Sequence, residues 1–333
     1  MKKLPIILAI FFSALTHAEN FYPSNLLMTD SFFAHHVLVA EKSTHQLHLY
    51  ENNNGYPKLV KSFQMATGKK SGDKLVEGDY KTPEGIYNFV DFLTNKQLLE
   101  QTGPAGVIYG VGAFVTDYPN PIDKRLNKTG DGIWLHSTND ETRIEKGLDS
   151  RGCVVTANND LIDASKYLEL NKTPIVIVQE LVYLNEKTFE ANRNQIKSTV
   201  GKWLEAWREK NINDYMSHYD QAQFKDQKGN WGQYKAYKAN VFSMPGKPKI
   251  ELDNYSIFQF KNYAVVTFRQ NYQSSTINDT GKKTLYLIQA PTYEWKIVNE
   301  FWTKAGLEGE DKFAFEPSDR FFKNVENNKK GNN

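Results

Sequence analysis

The 333-residue chain has a single cysteine, Cys153, so it cannot form an internal disulfide in any compartment. It also lacks a surplus of charge, since 41 Lys and Arg stand against 39 Asp and Glu. Nothing in that balance recruits nucleic acid or an anionic membrane. Beyond the first fifteen or so residues no apolar run approaches the length of a membrane helix. Internal repeats and extended low-complexity segments are missing as well, which argues against a repeat architecture.

What is present begins with MKKLPIILAIFFSALTHAEN. Lys2 and Lys3 form a basic start, Leu4 to Leu15 is apolar, and Thr16-His17-Ala18 offers a small-x-small cleavage site. Residues 1–18 read as a secretory signal peptide, with an uncleaved anchor as the competing reading. The expectation is a soluble protein in an exported compartment.

The length suggests two domains. From Val37 and Val39, through Leu47 and Leu49, to Leu59 and Phe63, apolar and polar residues alternate between Asn/Gly and Ser/Gly turns, the pattern of a strand meander. Ile86 to Val90, GVIYGVGAFVTDYP and GIWLHST read as further strands. ANNDLIDASKYLEL reads as a helix capped by Asn158 or Asn159, and TPIVIVQE as a buried strand. A mostly β first domain over 19–182 is expected. In the second half, Ile196, Val200, Trp203, Leu204 and Trp207 form a stripe at helical spacing. A short helix carrying Tyr215 and Met216 follows, and then three strand-like stretches. Helices before a run of strands predict an α+β domain over 183–310, with 311–333 a loose tail.

A lone cysteine is often a buried, inert hydrophobe. Here LDSRGCVVT places Gly152 before Cys153, and IWLHST places His136 seventeen residues upstream, at the end of an expected strand. A neighbouring imidazole can take the thiol proton and stabilise a thiolate. Peptide N–H groups around Gly152 and Cys153 are suited to a developing oxyanion. These parts are of the right type for acyl transfer, although spacing alone does not identify the reaction. His35, His36, His45 and His48 are read as exposed strand positions rather than a metal site, because His45 and His48 would face opposite sides of one strand. WGQYKAYK at 231–238 reads as a partly solvated helix, with stacking on sugars as the sharper alternative. KKSGDK at 69–74 reads as a charged loop.

TPEG at 82–85, YPNPID at 118–123, GDGIWLHST at 130–138 and SRGCVV at 150–155 together resemble the L,D-transpeptidase (YkuD) catalytic domain family, over about Val37 to Val178. The resemblance implies a mostly β L,D-transpeptidase catalytic domain. It makes Cys153 the nucleophile, His136 the base, Gly152 part of the oxyanion turn and Ser150 the motif serine. Ser137, Ser150, Arg151, Tyr109 and Trp134 are the expected substrate-binding residues, with packing an equal alternative for Tyr109 and Trp134. The implied substrate is the peptidoglycan stem peptide, cut between the position-three diamino acid and D-alanine, with no metal or other cofactor. Two positions depart from the family pattern: Ser137 stands where a glycine is usual, and Val155 where an arginine is common. The second half resembles an NTF2-like domain, a curved antiparallel sheet with helices. Leader, catalytic domain and NTF2-like domain together resemble cell-shape L,D-carboxypeptidases of helical Gram-negative bacteria. A periplasmic L,D-carboxypeptidase is therefore expected. The alternatives are an L,D-transpeptidase making 3-3 cross-links or attaching protein to the wall, and a non-catalytic wall-binding protein. A glycan or protein ligand for the NTF2-like domain is the expected further partner.

Overall fold

A computed structural model of the chain describes residues 19–307. The expectations of a signal peptide at 1–18 and a loose tail at 311–333 lie outside the described residues. The first half is built from ten strands: β1 (Phe21–Pro23), β2 (His36–Glu41), β3 (Gln46–Asn53), β4 (Tyr56–Gly68), β5 (Gly85–Thr94), β6 (Gly112–Thr116), β7 (Trp134–His136), β8 (Leu148–Ser150), β9 (Val154–Thr156) and β10 (Pro174–Val178). Four short helices interrupt them: α1 (Asn95–Thr102), α2 (Pro121–Arg125), α3 (Thr142–Glu145) and α4 (Asn158–Ser165).

Strand order β3-β2-β10-β5-β6-β7-β9-β4, with β4 returning to β3, closes the sheet into a barrel, and β8 is added outside β4. The thirteen residues of β4 make this possible. Its first part pairs with β3, while Met65 and Ala66 pair with β9 and Thr67 and Gly68 with β8. Leu47, Leu49, Phe63, Tyr87, Phe89, Phe114, Leu135 and Val154 fill the barrel.

The expected meander is present, with local differences. The β3–β4 register shifts between Leu49 and Tyr50, so Val60 is an extra residue. That bulge flips the alternation: Phe63 is buried and Leu59 faces solvent. The GVIY segment is a 3-10 helix (Gly103–Tyr109) rather than a strand. Gly103 and Gly110 at its ends both take positive φ, and only Gly112–Thr116 joins the sheet. Helix α4 is preceded by Ala157, and neither Asn158 nor Asn159 caps it. The Asn158 side chain instead donates to the Thr138 carbonyl. His35 is buried against Glu169 rather than exposed, and His45 precedes β3 with positive φ. In the KKSGDK loop Lys74 is buried on Asp79, so the loop is more than a solvated charge run.

The second half comprises β11 (Tyr183–Asn185), α5 (Glu186–Arg208), α6 (Ile212–Ser217), the two-residue strands β12 (Lys225–Asp226) and β13 (Gly229–Asn230), α7 (Trp231–Ser243), and a meander of β14 (Lys249–Phe260), β15 (Tyr263–Gln273), β16 (Asn278–Gln289) and β17 (Trp295–Thr303). The third strand-like stretch of the sequence is two strands, because Ala290–Glu294 turns back on itself, with Tyr293 at φ 64°. Asn185 caps α5 by accepting from the Thr188 N–H. The predicted stripe of α5 is buried against one face of the meander.

The other face of the meander meets the barrel. Phe258, Tyr263, Val265, Tyr286 and Val298 pack with Val37, Val39, Ile86, Val176 and Val178 in one apolar layer. This explains why all five residues of β10 are buried: Ile175 and Ile177 face the barrel interior, while Val176 and Val178 face the meander. The Tyr263 hydroxyl accepts from the Ile86 N–H at 3.0 Å across the same interface. At the start of the described chain, β1 pairs with β11, Met28 bridges Ile257, and Leu27 enters the helix-covered core.

A shared layer makes the two halves one cooperative body. Phe258→Ala removes a 3 % exposed ring from its centre and is expected to cost about 3 kcal/mol. Calorimetry should show a single transition moved to lower temperature rather than two separate ones.

Candidate active site

The geometry starts from two short strands. β7 and β9 run parallel, with Leu135 opposite Val154 and His136 opposite Val155. Leu135 and Val154 point into the barrel. By alternation His136 and Val155 point to the other face, and so does Cys153, two residues before Val155. Val155, Ala66 and Ile144 pack beside Cys153 on that face. The pairing thus puts the imidazole and the sulfur on one side of adjacent strands.

Glycine is required at position 152. Gly152 has φ 139°, and a Cβ there would sit 2.9 Å from the Lys81 carbonyl oxygen. The Ser150 hydroxyl donates to the Cys153 carbonyl at 2.7 Å and accepts from the Gly152 N–H at 3.0 Å. Ser150 is therefore a buried brace of the turn, not a substrate contact. The Gly152 N–H, expected to serve an oxyanion, is already engaged. Among the described residues nothing accepts from the Cys153 N–H.

His136 is buried, and its Nδ1 lies 2.5 Å from the Ser137 carbonyl. A carbonyl only accepts, so Nδ1 carries the proton and Nε2 holds the free lone pair. Burial lowers the His136 pKa to about 4; the Ser137 carbonyl opposes this and the Arg143 charge adds to it. The thiol moves the other way. Burial pushes Cys153 up to about 11, and the Trp134 backbone, Arg143 and Lys74 only partly offset it. The thiol donates to the Gly132 carbonyl at 3.4 Å. On this face the thiol and the imidazole thus both rest uncharged at neutral pH, not as a preformed thiolate–imidazolium pair.

The expected lining residues divide. The Tyr109 ring meets His136 edge-on at 4.9 Å and lies 5.0 Å from Trp134, so these two wall the imidazole. Arg151 is exposed beside the turn. Ser137 does not line the cleft. It is fully buried, and its hydroxyl accepts from the Val111 N–H and donates to the Tyr109 carbonyl. The space where a side chain at Gly110 would lie is filled by this same hydroxyl. Arg143 was not anticipated. It lies between the two motifs in a polar stretch, and no spacing rule singles it out.

The motif segments TPEG and YPNPID serve mainly as scaffold. The Thr82 hydroxyl accepts from the Gly68 N–H, and buried Glu84 pairs with Lys42 at 3.1 Å. Asn120 caps α2 and ties it to the Ile86 carbonyl, while Asp123 pairs with buried Lys128.

Comparison with known proteins bears on these features. The L,D-transpeptidase catalytic domain (YkuD) family model matches residues 35–177, and the Cds6 C-terminal NTF2-like domain model matches 195–301. The solved structure of Bdellovibrio bacteriovorus Bd1075 is 31% identical, with a TM-score of 0.73, covering 86% of this chain and 99% of its own. The chain belongs to the L,D-transpeptidase (YkuD) family. It joins that family's catalytic domain, and hence a peptidoglycan-modifying role, to an NTF2-like domain. The helical cell shape determining protein Pgp2 from Campylobacter jejuni is 25% identical, with a TM-score of 0.64, covering 84% of this chain and 95% of its own. A search of curated proteins gave no significant match.

The NTF2-like domain contains a cavity of about 380 Å³ lined by Trp207, Tyr234, Lys238, Lys283 and Glu300 among others. WGQYKAYK opens α7 and is the partly solvated helix expected: Gly232, Gln233, Ala236 and Tyr237 are exposed, while Tyr234 and Lys238 are buried and form one wall of the cavity. Burial disfavours the Glu300 carboxylate, but Lys283, Lys238 and the Tyr219 hydroxyl outweigh it and hold its pKa down to about 2. Burial lowers Lys238 to about 7, against the pull of Glu300. Its ammonium lies 4.5 Å from the Trp207 ring centroid.

Two outcomes are expected from this geometry. An NMR titration of His136 should show a midpoint near 4, well below the ordinary 6.5. Because the unfolded chain binds that proton more readily, the His136 contribution to stability falls as pH drops from 6.5 toward 4. Gly152→Ala should destabilise the fold by about 1–3 kcal/mol, seen as a lower melting temperature.

Proposed function

We propose that the protein is an exported, periplasmic L,D-carboxypeptidase that trims stem tetrapeptides to tripeptides. The observation that carries the reading is the common face of β7 and β9, which presents His136 and Cys153 together beside a glycine-only turn. Cys153 attacks the carbonyl carbon of the amide between the position-three diamino acid and D-alanine. As the C–S bond forms, the thiol proton passes to His136 Nε2. The Cys153 N–H donates to the oxyanion. When the intermediate collapses, the C–N bond breaks and D-alanine leaves with the proton from His136. Water, deprotonated by His136, then cleaves the thioester, releasing the tripeptide and restoring the thiol.

Both groups are neutral at rest, so the proton moves only as the C–S bond forms. Water as the acceptor is supported by position 155, which is buried and apolar and offers no cation to hold an anionic acceptor strand. Likeness over nearly the whole chain to a protein described as determining helical cell shape supports the same branch. The cavity of the NTF2-like domain, with aromatic walls, two lysines and the Glu300 carboxylate they face, fits a ligand carrying both signs of charge, such as a stem peptide of the same polymer. That would make it an accessory site.

Purified protein incubated with muropeptides tests the reaction. Tripeptide and free D-alanine are the expected products; a cross-linked dimer would assign a transpeptidase instead. Cys153→Ala should reduce turnover by more than about 10³-fold while leaving binding of muropeptides intact. Wall binding by a protein whose Cys153 never forms a carbapenem adduct in intact-mass measurements would leave only a binding role. Because His136 acts in its neutral form, kcat/KM should hold its plateau down to about pH 5 and decline only as pH approaches the His136 midpoint near 4.

A further inference from the structure

One side chain outside the motifs reaches all three segments that build the site. Arg143 sits on α3, with its side chain 17% exposed. Its Nε donates to the Asp149 carboxylate. Its Nη1 donates to the Ile108 carbonyl at 3.3 Å and to the Thr138 hydroxyl at 3.2 Å. Each partner adjoins a working part. Asp149 precedes Ser150, the brace of the Cys153 turn. Thr138 follows His136 by two residues. Ile108 precedes Tyr109, whose ring abuts the imidazole. The planar guanidinium fork suits such a three-way tie better than an ammonium does.

Arg143 also bears on the charge of the site. Its field favours the Cys153 thiolate, as does that of Lys74, and disfavours protonated His136. Lys74 is committed to Asp79, Arg151 projects into solvent, and Val155 is apolar. Arg143 is therefore the cation whose hydrogen bonds are made to the site's own segments.

We propose that Arg143 is the positioning residue of this site: its guanidinium fixes the nucleophile turn, the histidine strand end and the Tyr109 wall relative to one another, and its charge favours the anion formed on acylation. This rests on the reading of Cys153 as the nucleophile. A position that depends on the fork and a charge that does not are separable by substitution.

The test uses the mature full-length protein and its Arg143→Gln, Arg143→Lys and Asp149→Asn variants. Iodoacetamide alkylation of Cys153 is followed at pH 8.5, and kcat and KM are measured on a disaccharide tetrapeptide. Arg143→Gln should slow alkylation about three- to tenfold, as loss of a nearby positive charge raises a thiol pKa. It should lower kcat at least tenfold with KM within a factor of three. Arg143→Lys should restore alkylation but not kcat. Asp149→Asn, which keeps the cation and loosens its anchor, should lower kcat and leave alkylation near wild type; it also serves if Arg143→Gln does not fold. Unchanged alkylation and kcat in Arg143→Gln would overturn the proposal, as would a lower melting temperature with kcat intact. The alkylation readout needs no turnover. An effect there in a protein inactive on muropeptides would sink the carboxypeptidase reading while leaving the role of Arg143 standing.

Discussion

The proposed chemistry of this protein depends on the register between two strands of three residues each. His136 stands opposite Val155 across a parallel pair, and that pairing alone decides which side chains share the cleft face. A slip of one residue would turn His136 into the barrel interior and expose Leu135 in its place. Short parallel strands hold register weakly by themselves. Here it is imposed from outside. The end of β4 clamps β9 on one side and β8 on the other, and β6 pairs with β7.

Charge inside the scaffold reinforces that clamp. Lys42, Lys74 and Lys128 are buried, and each meets a carboxylate on the loop from Gly72 to Glu84 or on α2. Buried pairs of this kind add little net stability over an apolar alternative, but breaking one leaves an uncompensated charge. They therefore favour one arrangement of the loops around the sulfur. The apolar layer between barrel and meander does the same on a larger scale, fixing the NTF2-like cavity relative to the cleft.

Much of this was legible in the sequence because local pattern and final burial agree. The α5 stripe, the β10 run and the Gly152-Cys153 step each follow from periodicity or from a backbone constraint. The Val60 bulge was not legible, since an extra residue leaves the alternation on either side intact while reversing what it means. The 3-10 turn at Gly103–Tyr109 was hidden because Val107 and Ile108 look like strand residues, and only tertiary context leaves them in water. Ser137 and Ser150 were expected as substrate contacts from their places in the family motifs. Their hydroxyls are instead consumed by neighbouring backbone, which is what buried hydroxyls require. Arg143 escaped notice because its three partners are distant from one another in sequence or scattered between motifs. That α7 is a partly solvated helix was legible, but the burial of Lys238 within it was not, since the partner it faces, Glu300, is 62 residues away.

The raised thiol has a consequence for chemical durability. It is the thiolate that attacks peroxides and disulfides, so a thiol that stays protonated at neutral pH reacts with them slowly. The unique cysteine has no second thiol in the chain with which to reverse an oxidative lesion. On the proposed reading, keeping the proton on the sulfur until an acyl group arrives shields the atom on which turnover would depend.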